Sequence, residues 1–151
     1  MICAITQYRK AIATEKNDNK YRLRMELYHN TMLRWIELIQ DSKSSLAGFL
    51  KECGYNSAAV YGLNDLGILL VNNLIKEDYP IAYALDQSAN NRIFRDISIP
   101  VVVPGKANDQ PKVDVVIICA LNSVEEIETT LLQFINTPTI PIDELIALAQ
   151  R

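Results

Sequence analysis

From Tyr21 to Gln40 the chain contains neither Gly nor Pro, and its apolar residues recur at helical spacing. Met25, Tyr28, Met32, Trp35 and Ile39 alternate steps of three and four, which puts them on one helical stripe. Leu33 and Ile36 widen the stripe, while Arg22, Arg24, Glu26, Arg34 and Glu37 fall on the wet side. The polar run Ala13–Lys20, centred on Asn17-Asp18-Asn19, reads as a loop before it. A short second helix follows, with Ser42 or Ser44 as its N-cap, Leu46, Phe49 and Leu50 as its buried face and Gly54 as its left-handed stop.

After residue 54 the pattern changes to short β-rich runs alternating with helical ones, which predicts a parallel sheet with covering helices. Ala58–Tyr61 reads as the first strand. Leu66, Leu69, Leu70, Asn73 and Leu74 form one face of the helix after it. Ile81–Leu85 is the second strand, ending at Asp86, and Ile97–Val103, broken by Pro100, is an edge strand or two short pieces. Pro104–Pro111 reads as a loop. Val113–Ala120 is a continuous apolar run suited to a central strand buried on both faces. Ser123 through Glu126 fits a capping box for a helix that buries Ile127, Leu131, Phe134 and Ile135. Thr139–Ile142 reads as the last strand, with Asp143 capping a terminal helix. These elements predict a Rossmann-like three-layer α/β fold: about five parallel strands in the order 3-2-1-4-5, with residues 1–54 as a helical appendage and 55–151 as the binding domain.

Charge follows the same division. Residues 1–54 carry nine Lys/Arg against six Asp/Glu, and residues 55–151 carry six against twelve, within a formal net charge of −3. An acidic chain of this kind argues against a nucleic-acid partner, which demands a basic face. The three cysteines, Cys3, Cys53 and Cys119, have no C-x-x-C pair, so neither a disulfide framework nor a zinc site is expected. Met1–Ile5 is apolar, but Gln7, Arg9 and Lys10 follow at once, and no run approaches the roughly 18 apolar residues of a membrane span. The expectation is a reduced, cytoplasmic protein with no membrane span. His29, the one histidine, lies beside the stripe and reads as a surface residue.

The turn after the first strand carries the candidate chemistry. Gly62-Leu63-Asn64-Asp65-Leu66-Gly67 spells G-x-N-x-x-G, where the dinucleotide fingerprint has G-x-G-x-x-G. Gly62 suits the tight turn, and Gly67 lets the helix approach the strand. Free N–H groups at the helix start would face a phosphate. Asn64 tolerates φ > 0 better than most residues, but its side chain narrows the seat or bonds the ligand itself. Asp86, 19 residues after Gly67, stands where an acidic residue accepts from a ribose diol, or else caps the turn Gln87–Asn91. Leu121 and Asn122 follow the central strand at the topological switch point, beside the same crevice.

Trp35, Tyr61-Gly62, Gly67, Tyr83-x-Leu85-Asp86 and Asp114–Ile117 together resemble a family of bacterial Rossmann-like modules found in polysaccharide-biosynthesis proteins. These are appended to sugar-modifying enzymes and glycosyltransferases and are related to the N-terminal modules of nucleotide-sugar epimerases and dehydratases. The resemblance, over roughly residues 33–148, implies binding of NAD(P) or another nucleotide, with Gly62, Gly67 and Asp86 among the contacts. Catalytic machinery is not evident. None of the seven tyrosines has a lysine four positions on, and there is no G-x-S-x-G elbow, His triad or metal constellation. Glu125-Glu126 is explained by the helix dipole. The sequence thus supports a non-catalytic module for NAD(P) or a nucleotide-sugar in surface-polysaccharide biosynthesis. Alternatives are an interaction module with a vestigial crevice, with the Met25–Ile39 stripe as a homodimer seam, or a fragment of a larger sugar-modifying enzyme or glycosyltransferase.

Overall fold

The computed structural model describes residues 17–41 and 44–150. Helix α1 (Asn17–Gln40) leads into the short α2 (Leu46–Glu52). The body runs β1 (Ala58–Tyr61), α3 (Asp65–Lys76), β2 (Ile81–Leu85), β3 (Val101–Val102), a 3-10 helix (Pro104–Asp109), β4 (Val115–Ile118), α4 (Val124–Leu132), β5 (Thr139–Pro141) and α5 (Ile142–Ala149). All strand pairs are parallel, and the order is β3-β2-β1-β4-β5, as the alternating pattern predicts.

Register aligns the carboxyl ends of the strands in one row. Tyr61 lies between Leu85 and Ile118, flanked by Val102 and Pro141. The residues just beyond, Gly62, Asp86 and Cys119, therefore emerge side by side. Alternation along β1 and β4 sends side chains to two apolar clusters. Val60 and Ile117 join Trp35, Leu38, Leu50, Leu70 and Ile146 on one face. Tyr61 and Ile118 join Tyr83, Ile127 and Leu131 on the other. The lead-in helices thus share the first cluster with the sheet.

Several expectations shift. Helix α1 starts at Asn17, so the Asn17–Asn19 run is helix; Met1–Lys16 and the candidate cap Ser42 lie outside the described residues. The buried face of α1 is Thr31, Trp35 and Leu38, flanked by Tyr28 and Met32. Met25, Leu33, Ile36 and Ile39 are exposed, because the helix turns its stripe edge-on to the body. Ser45, not Ser44, caps α2, accepting from Gly48 N–H at 2.9 Å; Gly54 follows with φ +85°. On α3 the buried set is Leu66, Gly67, Leu70, Val71 and Leu74, with Leu69 exposed and Asn73 half-buried. Only Val101–Val102 of the third run pairs, and the Pro104–Pro111 loop contains the 3-10 helix.

The capping box at Ser123 is not made. Ser123 donates its own N–H to Ala120 O in a turn, at φ −138° and ψ 26°, and its hydroxyl caps nothing. Phe134 falls beyond the end of α4 and is exposed. Strand β5 runs into α5 without a linker, so Pro141 is the N-cap and Asp143 lies inside the first turn. There its charge still complements the helix dipole. Trp35→Ala is expected to lower the unfolding free energy by about 3–5 kcal/mol. Leu132→Ala, at a site 70% exposed, should stay within about 0.5 kcal/mol; urea unfolding of both variants measures the contrast.

Candidate functional site

Gly62 turns the chain out of β1 with φ +93°, and its N–H donates to Leu85 O at 2.8 Å. An added Cβ would meet Ala120 at 3.1 Å while holding a backbone that side chains rarely adopt. At Gly67 a Cβ would run into the Gly62 carbonyl, so the helix packs on the turn only because this residue is glycine. Both glycines thus have the steric roles their spacing suggests.

Asn64 does not take a left-handed conformation; Gly62 alone makes the sharp bend. At φ −79° and ψ −172°, Asn64 is the extended N-cap of α3. Its Oδ1 accepts from Gly67 N–H at 3.0 Å, and its Nδ2 donates to Cys119 O at 2.9 Å and to Tyr28 Oη at 3.1 Å. The side chain occupies the gap that the central glycine of a dinucleotide fingerprint leaves open.

Tyr28, reaching in from α1, closes the same place from above. Its Oη accepts from Leu121 N–H at 3.1 Å and donates toward Cys119 O at 3.3 Å or Asn122 Oδ1 at 3.4 Å. Burial raises the Tyr28 pKa, partly offset by the hydrogen bond from Leu121. The Cys119 thiol is pushed well up by complete burial, which makes it an inert core group. Another donor of the turn, Leu63 N–H, binds Asp86 Oδ2 at 2.9 Å. Three amides near the switch point, those of Leu63, Gly67 and Leu121, are therefore satisfied from within.

Asp86 joins the two loops. Its Oδ1 accepts from Ser88 N–H at 2.8 Å and Ser88 Oγ at 2.6 Å, so its role as a cap for the turn Gln87–Asn91 is realised. A carboxylate offers about four acceptor positions, and with Leu63 three are used, which leaves room for one further donor. Burial pushes the Asp86 pKa up, but the bonds from Ser88 and Leu63, with the Arg92 charge, outweigh it and hold the carboxyl below its ordinary value.

A crevice of about 420 Å³ opens at this carboxyl edge, on the α4 side of the sheet. Tyr61, Gly62, Asp86, Ser88, Asn122 and Glu126 line it, together with Gln87, Ser123 and Thr130; no Lys or Arg does. Tyr61 is 3% exposed, and its buried Oη has no hydrogen-bond partner within 3.5 Å. Burial and the Asp86 charge raise its pKa, with the nearby Gln87 side chain opposing. A second cavity, about 310 Å³, lies at the start of β5, lined by Leu131 and Thr139 among others, and shares no lining residue with the first.

Of the residues read from the sequence as contacts, Gly62, Asp86 and Asn122 line the crevice, whereas Leu63, Asn64, Leu66, Gly67 and Leu121 do not. Asp65 is exposed at the start of α3, and Leu66 and Leu63 are core residues. Tyr61, Ser88, Glu126 and Thr130 escape a reading based on the turn motif; Tyr61, next to Gly62, was the nearest signal. Among the described residues, no group of three His, Cys, Asp or Glu is placed to hold a metal, and no helix is long and apolar enough to cross a membrane.

The fold and its carboxyl-edge crevice define a Rossmann-like α/β module. No family model matches the sequence, and no curated protein does. Among solved structures, the crystal structure of RSP, a Rex-family repressor, is similar, with a TM-score of 0.47 and 12% identity over 67% of this chain. The match covers 61% of that chain, so this sequence spans less than two thirds of its length.

The depressed Asp86 carboxyl contributes stability above the ordinary carboxylate pKa of about 4, and that contribution is lost as pH falls through the lower folded-state value. Asp86→Asn is expected to cost about 1–3 kcal/mol at pH 7. Its stability should also fall less than that of the unaltered chain between about pH 4 and pH 2. Urea unfolding across that range is the check.

Proposed function

We propose that this module binds the nucleoside end of a nucleotide ligand, NAD(P) or a nucleotide-sugar, in the carboxyl-edge crevice and performs no chemistry on its own. The observation that carries the reading is the Asp86 carboxylate in the crevice wall, which keeps one acceptor position open beside the Gly62 bend. Asp86, with one acceptor position open, supports recognition of a sugar hydroxyl beside it, and Gly62 lets a ligand approach the backbone. The nucleotide-sugar option and the link to surface-polysaccharide biosynthesis rest on the sequence resemblance alone.

A second reading is favoured by a different observation. Asn64, Tyr28 and Asp86 take up the backbone amides of Gly67, Leu121 and Leu63 at the turn where a dinucleotide fingerprint seats its pyrophosphate. On that reading the phosphate seat is vestigial and the module serves as a protein-interaction unit.

Thermal-shift titration with NAD, NADP, CoA and UDP-sugars separates the two. The first reading expects at least one ligand to stabilise the chain, by about 2.7 kcal/mol at a hundredfold excess over its Kd. Asp86→Ala, with circular dichroism confirming that it folds, is expected to bind that ligand about tenfold more weakly. No shift with any ligand at millimolar concentration, in a folded protein, rejects the first reading and leaves the second.

A further inference from the structure

Helix α1 presents a second apolar ridge next to its buried face. Met25, Ile36 and Ile39 are 52%, 44% and 56% exposed, and Leu33 beside them is 47% exposed. With the half-buried Met32, they follow steps of seven, four and three from Met25 to Ile39, the spacing of a helix–helix seam. Nothing in the sheet or α5 covers this ridge. It is the longest line of exposed large apolar residues on one element among the described residues.

The charges flanking the ridge are arranged by end. Lys20, Arg22 and Arg24 against Asp18 and Glu26 make the first half of the helix net positive, and Arg34 against Glu37 leaves the second half neutral. Arg22 and Glu37 lie on the same flank of the ridge, both exposed. Fifteen residues at 1.5 Å each separate them by about 22 Å along the axis, too far to pair within one chain.

We propose that two copies of this chain associate through an antiparallel α1–α1 seam. In the register the charges select, Met25 faces Ile36 of the second copy, Met32 faces His29, and Arg22 reaches Glu37, each contact occurring twice by two-fold symmetry. Ile39 packs on the aliphatic stem of Arg22 of the second copy. A parallel seam would set Arg22 on Arg22 and Glu37 on Glu37, which like-charge repulsion disfavours. The association is independent of the crevice, which lies on the α4 side of the sheet.

Sedimentation of the full chain across about 1–100 µM tests the seam, using Arg22→Glu, Glu37→Arg and Ile36→Asp, with circular dichroism confirming that each folds. The unaltered chain is expected to dimerise in this range. Arg22→Glu alone and Glu37→Arg alone each place two like-charged pairs at the seam and should weaken the dimer about tenfold or more. An equimolar mixture of those two variants restores opposite charges at both pairs, so a mixed dimer of near-original affinity is expected. Ile36→Asp should leave a folded monomer. A monomer throughout the range overturns the proposal. So does a dimer indifferent to these substitutions, or a mixture of the two charge variants that fails to re-associate.

Discussion

The Asn64 side chain ties three parts of the molecule together. One short amide caps α3 through Gly67, holds the end of β4 through Cys119 O, and meets the Tyr28 hydroxyl brought in by α1. Each of those groups is buried or half-buried, so each would cost free energy if left without a partner. The geometry depends in turn on Gly62 and Gly67. The first bends the chain at positive φ, and the second lets α3 sit against the bend. The order of the strands places the ends of β1 and β4 together, and the amide spans them.

This knot divides the carboxyl edge of the sheet into two unlike sides. On the α1 side the amides of Leu63, Gly67 and Leu121 are bonded to side chains and the lead-in helix forms part of the fold, with Trp35 and Leu38 in the same cluster as Val60 and Ile117. On the α4 side the crevice stays open and Asp86 has capacity left. The crevice has carboxylates from Asp86 and Glu126 and no basic side chain. A crevice so lined offers neutral hydrogen-bonding groups and no cation for a phosphate.

Much of this was legible in the residues themselves. The apolar runs at Ala58–Tyr61 and Ile81–Leu85 became strands, the run Val113–Ala120 became the shorter strand Val115–Ile118, and the alternation of strand and helix patterns predicted the 3-2-1-4-5 order. The two glycines of the turn behave as their spacing implies. Rotation of α1 was not legible, because periodicity shows that residues share a stripe and not which edge of a wide stripe meets the body. The failed caps have a similar cause. Ser123 has the right neighbour at Glu126, but the Ala120–Ser123 turn fixes its backbone first. The polar knot was hidden because Tyr28 reads as one more apolar position on a helix, 36 residues from Asn64. Long-range hydrogen bonds have no sequence period.

Amide hydrogen exchange in the free protein bears most directly on the claim that the switch point is closed from within. The N–H groups of Leu63, Gly67 and Leu121 are bonded to Asp86, Asn64 and Tyr28. They are expected to exchange slowly, within about tenfold of the central strand amides of Val116 and Ile117. Exchange of all three at the rate of an open, solvent-facing turn would contradict it, since the groups would then be free donors awaiting a phosphate.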